Sequence, residues 1–362
     1  MTTEQIIREV PKVLLHDHLD GGLRAETVID LAEKMRYNKL PTKDPEELKK
    51  WFFSGANKGN LVEFLQGFEY TIAVMQTKEN LERIAYEMME DMHKDGVVYV
   101  ETRFAPVLHL EQGLYYDDVM EAVLSGLDKG QKDFGVGYGL ILCAMRNMTN
   151  SLEIAELAVN YRRKGVVGFD LAGEEGGYPP KKHLDAFQFI SRENFNITIH
   201  AGEAFGIESI WQAIQICGAH RIGHATRLKE DIVFDKEGNI VQLGDLAQYI
   251  LDKRIPLEIC IMSNVHTGAV DKLENHPFKK LYDAKFRVFL NTDDRLMSNI
   301  TLTDEYITAS NKFGITLDDI EKLNINAMKS AFIPHNQKLD YIYNVIKPGY
   351  QKVREELLSL KV

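Results

Sequence analysis

Apolar and polar positions along the 362-residue chain fall into two alternating patterns. Short, β-rich apolar runs recur at Lys12–His16, Val97–Arg103, Gly135–Cys143, Val166–Ala172, Asn196–His200, Arg221–His224, Ile255–Ile261 and Phe286–Asn291, with longer helical stretches between them. Such alternation predicts parallel strands in βα units. Eight runs predict an α/β protein with a (β/α)8 TIM barrel in preference to an open sheet. The Arg221 run is short and carries the least pattern of the eight.

The spacing is uneven once. Residues 17–96 separate the first run from the second, far more than one helix needs. Within them Asp44–Lys50 follows Pro41 as a helix start, and Leu61, Phe64, Leu65, Phe68, Ile72 and Met75 keep helical spacing. The chain therefore reads as a single barrel domain, 1–362, with extra helices inserted after strand 1 at about residues 40–90. Loops after barrel strands build the mouth of a barrel, which makes the insertion a candidate lid. The alternative is a satellite apolar cluster covering the barrel's outside.

Composition narrows the class. With 44% hydrophobic and 27% charged residues the chain is ordinary globular protein. Its 43 Lys and Arg against 54 Asp and Glu give a net charge of −11, which disfavours direct binding to nucleic acid or an anionic membrane. Cys143, Cys217 and Cys260 are few, odd in number and far apart, which suits a reducing cytoplasm rather than a disulfide framework or a thiolate zinc site. The first ten residues have no apolar signal-peptide core, and no apolar run approaches the ~18 residues of a membrane span. No pattern distinguishes monomer from dimer.

Ionisable residues collect at the ends of the runs. Val13-Leu14-Leu15 leads into His16, Asp17, His18 and Asp20; Ile197-Thr198-Ile199 into His200 and Glu203; Arg221-Ile222-Gly223 into His224; Val288-Phe289-Leu290 into Asp293 and Asp294. In a barrel these ends meet at one face. Side chains two apart on a strand share a face, so His16 and His18 can reach one ion; His200 and Asp293 complete a His3Asp set that suits zinc and also admits iron or manganese. Such a site activates a water. Adjacent Asp293 and Asp294 point apart, so one serves the metal and the other substrate or water. Glu203 is a candidate proton carrier, placed past Gly202 in a tight turn, and His224 a candidate to orient or deprotonate the water. Glu101 and Arg103 read as ion-pairing residues inside the barrel. His93, His109, His183, His220, His276 and His335 read as surface or packing residues, and Trp51-Phe52-Phe53 as core of the insertion.

Six motifs in order carry a resemblance: HxHLDG from His16, DLAGEE from Asp170, HAGE from His200, RIGH from Arg221, SNVxTG from Ser263 and TDD from Thr292. Together they resemble the adenosine deaminases of the metal-dependent amidohydrolase superfamily, from about residue 10 to the end of the chain. The resemblance implies one zinc ion per chain on His16, His18, His200 and Asp293. It implies Glu203 as the acid that protonates purine N1, His224 as the residue positioning zinc-bound hydroxide, and Asp294 as a contact to that hydroxide and to N7. It implies the Gly173 N–H on purine N3, Asp20 on a ribose hydroxyl, and Leu61, Phe64 and Phe68 as an apolar gate. The implied reaction is hydrolytic deamination of adenosine and 2′-deoxyadenosine to inosine and 2′-deoxyinosine plus ammonia, by attack of zinc-bound hydroxide on purine C6, in purine salvage. The implied partner is a small purine nucleoside.

Gly22, Met262, His266 and Arg295 depart from the common pattern of that family and bear on substrate preference; Arg295 reads either as a ribose-side wall or as a rim ion pair. Adenine, AMP and a modified nucleoside such as aminodeoxyfutalosine are the competing substrates, since related deaminases use one barrel. AMP calls for phosphate-binding cations that these strand ends lack, and Asp20 favours a nucleoside over the free base. A non-catalytic binding relative is a third reading, against which stands the full set of matched residues.

Overall fold

The computed structural model describes residues 2–359. Its strands are β1 Lys12–His18, β2 Val97–Phe104, β3 Gly137–Met145, β4 Val166–Ala172, β5 Asn196–Ala201, β6 Arg221–His224, β7 Ile232–Phe234, β8 Ile240–Leu243, β9 Leu257–Ile259 and β10 Val288–Leu290. Eight of them form one parallel sheet in the order β1-β2-β3-β4-β5-β6-β9-β10, and all eight expected runs are in it. The short Arg221 run forms β6 with the bounds its pattern suggested. The β7–β8 hairpin is antiparallel and separate, an element the periodicity did not announce.

The barrel closes between β10 and β1. Asp17 bridges Asp293 in parallel fashion, with the His18 N–H donating to Asp293 O (2.8 Å) and the Asp293 N–H to His16 O (3.0 Å). Below this bridge, side-chain amides replace the missing ladder: Asn324 Oδ1 accepts from Val13 N at 2.8 Å and Asn291 Oδ1 from Leu15 N at 3.0 Å. A buried N–H left unpaired costs free energy, so these amides belong to the closure itself. The register of β1 against β2 shifts between Leu14 and Asp17, the interval that holds His16, and is regular again at His18.

The barrel interior holds ions. Arg103 pairs with Asp170 (3.0 Å) and Glu258 (2.9 Å), and Arg221 with Glu101 (2.5 Å) and Glu258 (2.6 Å). Glu101 and Arg103 thus sit inside the barrel as expected, but each takes its partner from another strand. Two residues apart on β2, they point the same way without facing each other.

Five helices lie between β1 and β2: Ala25–Lys34, Pro45–Ala56, Leu61–Leu65, Phe68–Ala73 and Lys78–Lys94. The Asp44 side chain caps Pro45–Ala56 by accepting from Glu47 N at 2.9 Å. The longest, Lys78–Lys94, buries Leu81, Ile84, Ala85, Met88, Met89 and Met92 at helical spacing and packs against helix Tyr116–Phe134 in the barrel's outer layer. Each such side chain, fully buried, contributes about 1.5–3 kcal/mol. The 61–75 pattern is broken at Gln66–Gly67; a Cβ on Gly67 would stand 2.7 Å from Met297 Sδ, so a closer-packed chain passes there. No helix among the described residues is long and apolar enough to cross a membrane.

Candidate active site

The C-terminal ends of β1, β5, β6 and β10 bring His16, His18, His200, His224 and Asp293 together. The His16, His200 and His224 rings lie with centroids 4.6–5.2 Å apart, and one ligand atom from each of these and from Asp293 falls within 4.8 Å of the others. His18 Nε2 is 3.1 Å from His200 Nε2 and 3.3 Å from Asp293 Oδ1. His224 (φ 66°) and Asp293 (φ 63°) hold left-handed backbone conformations that side chains seldom adopt, strain of the kind that gathers at functional sites.

Hydrogen bonds beneath the rings sort the histidines. His16 Nδ1 meets Glu258 Oε2 at 2.7 Å, and His200 Nδ1 meets Asp170 at 3.1 Å. Both carboxylates sit beside Arg103, whose charge helps hold them below the ordinary carboxylate range despite burial. A carboxylate only accepts, so each imidazole donates from Nδ1 and turns a bare Nε2 lone pair to the centre. His16 Nε2 is buried with no hydrogen-bond partner, although Asp293 Oδ1 stands 3.0 Å away. Two acceptors facing at that distance repel unless a cation lies between them. The donor set therefore fits a metal ion, and its nitrogen and oxygen chemistry suits zinc among others.

His224 is oriented the opposite way, along a chain that starts at a backbone donor. Phe278 N–H donates to His276 Nδ1 (3.0 Å), His276 Nε2–H to Asn264 Oδ1 (3.2 Å), and Asn264 Nδ2–H to His224 Nδ1 (3.0 Å). A backbone amide has only a donor, so every later direction follows. Neutral His224 accepts at Nδ1 and carries its proton on Nε2, which lies 3.5 Å from Glu203 Oε2. It is a donor toward the centre, not a lone pair. His276, read from sequence as surface or packing, is buried and orders this chain.

Glu203 is buried, and its Oε1 accepts from Thr267 Oγ1 at 2.9 Å. Burial, with Asp293 and Glu175 nearby and His224 acting against them, raises its pKa to about 7. Its loop is clamped by Glu175, which accepts from the N–H groups of Gly202 (2.7 Å), Glu203 (3.1 Å), Ala204 (2.7 Å) and Phe205 (2.9 Å). Gly202 has φ +74°, the tight turn its place before Glu203 suggested. His18 is raised to about 10: burial opposes its charge, and Asp294, Asp293 and Asp20 outweigh it. Asp294 is pushed above the ordinary carboxylate range by burial and then by Asp293. It packs against Gly21 so closely that a Cβ there would lie 1.9 Å from Asp294 Oδ1.

Beside these groups lies a cavity of about 400 Å³ lined by His18, Asp20, Phe68 and Gly173, among others. Its walls contain no Lys or Arg. The apolar wall comes from Val62, Leu65 and Phe68; Leu61 and Phe64 are instead buried in the helical layer. The break at Gln66–Gly67 ends the single helical face that their spacing implied.

The chain matches the family described as "Adenosine deaminase" over residues 11–348. It is 51% identical to Adenosine deaminase 1 of Streptomyces coelicolor, covering 97% of this chain and 90% of that protein. The chain belongs to the adenosine deaminase family. Among solved structures it is similar to an adenine deaminase from Arthrobacter aurescens (TM-score 0.83, 26% identity, 93% of this chain and 98% of that one). It is also similar to Arabidopsis ADAL complexed with IMP (TM-score 0.81, 27% identity, 96% and 98%).

The four departures from the family pattern lie off the cavity wall. Arg295 is partly buried and pairs with Asp17 (2.8 Å) and Asp91 (3.4 Å). It occupies the space a side chain at Gly22 would need, since a Cβ there would stand 2.5 Å from its guanidinium. His266 meets Ser298 Oγ at 3.2 Å, and Met262 N donates to Glu305 at 3.0 Å. Sequence reasoning passed over Glu258, Asp170, Glu175, Asn264 and His276. A signal existed for the first two: each is a lone charge inside a buried apolar run, where it needs a partner.

Proposed function

We propose that this protein is a zinc-dependent hydrolase that converts adenosine and 2′-deoxyadenosine to inosine and 2′-deoxyinosine with release of ammonia. The observation that carries the reading is Glu203: a buried acid whose pKa stands near 7, held beside the converging ligand atoms of His16, His200 and Asp293, with His18 Nε2 3.1 Å from His200 Nε2, and next to a cavity without cations. His16, His18, His200 and Asp293 hold one zinc ion, which when bound supplies Lewis acidity and lowers the pKa of a water.

The chain's own groups do the rest. Glu203 keeps its proton near neutral pH and gives it to purine N1, so negative charge does not build on the ring as C6 is attacked. His224 presents Nε2–H to the attacking oxygen, and Asp294, in the protonated form that burial beside Asp293 favours, accepts a hydrogen bond from that oxygen and donates its O–H to N7. The Gly173 N–H meets N3, and Asp20 takes a ribose hydroxyl. Phe68, Val62 and Leu65 cover the base and exclude water. The helices between about residues 40 and 77 form the lid, and Lys78–Lys94 is a barrel helix. Free, buried Cys143, Cys217 and Cys260 favour the cytoplasm as its place of work.

Substrate choice follows from charge. AMP would bring a dianion to walls that carry Asp20, Glu69 and Glu174 and no Lys or Arg. A nucleoside brings a neutral ribose that Asp20 can bind. Initial rates with adenosine, adenine, AMP and aminodeoxyfutalosine on zinc-loaded protein test this, with adenosine expected to have the highest kcat/KM. A higher kcat/KM for any of the other three would overturn the substrate assignment and leave the site chemistry standing.

A further inference from the structure

At the opposite end of the barrel, where the strands begin, the described residues line a larger, open cavity of about 800 Å³. Its walls are the residues leading into β5, β6, β9 and β10, the C-terminal ends of helices Asp245–Lys253 and Leu317–Ser330, and the segment on to Lys338. Arg221, Lys253, Arg254, Arg287, Lys329 and Lys338 line it, and no Asp or Glu does. In a chain with 54 acidic and 43 basic residues, this wall is unlike the average surface.

Helix ends explain part of it. A cation at a helix C-terminus offsets the negative end of the dipole, which accounts for Lys253 and Lys329. Lys338 Nζ donates to Lys329 O at the end of Leu317–Ser330 (3.2 Å), and Arg254 donates to Lys285 O. Neither helix ends nor these carbonyls account for Arg287, which leads into β10 and has a buried Nε without a hydrogen-bond partner, and among the described residues no carboxylate answers the charge of any of the three. The two carboxylates beneath, Glu101 and Glu258, are both held by Arg221, at 2.5 and 2.6 Å. Among the described residues none of the other five cations is within 4.0 Å of a carboxylate. The cations act on one another: burial and then Arg254 lower the Arg287 pKa, and burial lowers that of Lys338, with Arg221 and Arg287 adding to the effect and Glu101 opposing it. An anion between them removes this repulsion. Tyr249, Ile214 and Ile333 give the same cavity an apolar side.

We propose that this cavity is a second ligand site, distinct from the deaminase site, for a small anion carrying a di- or triphosphate group. Arg254, Arg287 and Lys338 face the phosphates, where guanidinium forks bind bidentately. Free polyphosphate and a nucleotide share this chemistry, and the apolar side separates them.

Titration calorimetry of the full chain with tripolyphosphate and with ATP, inosine being present in excess to occupy the deaminase site, tests the proposal. Binding below about 1 mM, weakening with salt and weakening at least about tenfold in R287Q/K338Q, is the expected result. ATP tighter than tripolyphosphate assigns the apolar side to a base; equal affinity assigns the site to free polyphosphate. Absence of binding for both probes at low salt, or equal affinity in wild type and variant, overturns it. Should the double variant fail to fold, R254Q, at an exposed position, replaces it with the same criterion.

Discussion

At the C-terminal end of the barrel Asp17, Asp20, Glu203, Asp293 and Asp294 crowd around four histidines, and the cavity beside them has no Lys or Arg. At the N-terminal end six Lys and Arg line a cavity with no carboxylate. Between the two lie Arg103, Asp170, Glu258, Arg221 and Glu101, the same residue types, buried but paired across strands at 2.5–3.0 Å. Charge is common to all three levels; burial and pairing are not, since Lys253, Arg254 and Lys329 at the lower end are exposed and Arg287 and Lys338 half-buried. In the middle, opposite charges answer each other, and Glu258 and Asp170 stay ionised. At the top only Asp17 has an arginine partner; the other carboxylates outnumber the cations beside them, so Asp294, Asp293 and Asp20 raise His18 to about 10 against its burial, and burial with Asp293 and Glu175 raises Glu203 to about 7. A buried charge that the fold leaves unanswered points to a ligand that answers it.

Taking the metal out should have the largest effect. Chelation, or Asp293→Asn, is expected to bring adenosine turnover to the detection limit and to lower the thermal midpoint, because an ion bound only to the folded state stabilises it. Unchanged turnover in fully metal-free protein would remove the cation from the upper site. Glu203→Gln keeps the shape and removes the acid; kcat should fall by about 10²–10⁴ with metal content retained. A loss confined to KM would make Glu203 a binding group instead.

Next comes the chain that orients His224. Asn264→Leu leaves Nδ1 of His224 without its donor, and kcat should fall about 10–100-fold with zinc still bound. Zinc lost in parallel with activity would make His224 a metal ligand and undo the distinction between it and His16. The smallest effect belongs to the lower end. Without an anion present, Lys338→Gln should raise stability by a few tenths of a kcal/mol at low salt, a gain that vanishes at high salt. Chemical denaturation at two ionic strengths measures it, and a loss of stability at low salt would mean that the bond from Lys338 Nζ to Lys329 O outweighs the repulsion among the cations.

The eight strands were legible in the chain, because each is written at short range, as alternation over a few residues; the histidines and carboxylates at their ends were legible as candidates for the same reason. The six motifs carried the family as well. What was not legible depends on closure. Glu258 holds His16 across 242 residues of sequence, and Arg103 joins Glu258 across 155. Asn291 and Asn324 complete the seam between β10 and β1, and Phe278, His276 and Asn264 decide which nitrogen of His224 bears the proton. The gate shows the same limit, since helical spacing marked Leu61 and Phe64 as apolar without telling which side of a broken helix would face the cavity. Local pattern specifies the element and its apolar face; the partner of a buried polar atom is whatever the closed barrel brings within about 3 Å of it, and hydrogen bonding is that selective.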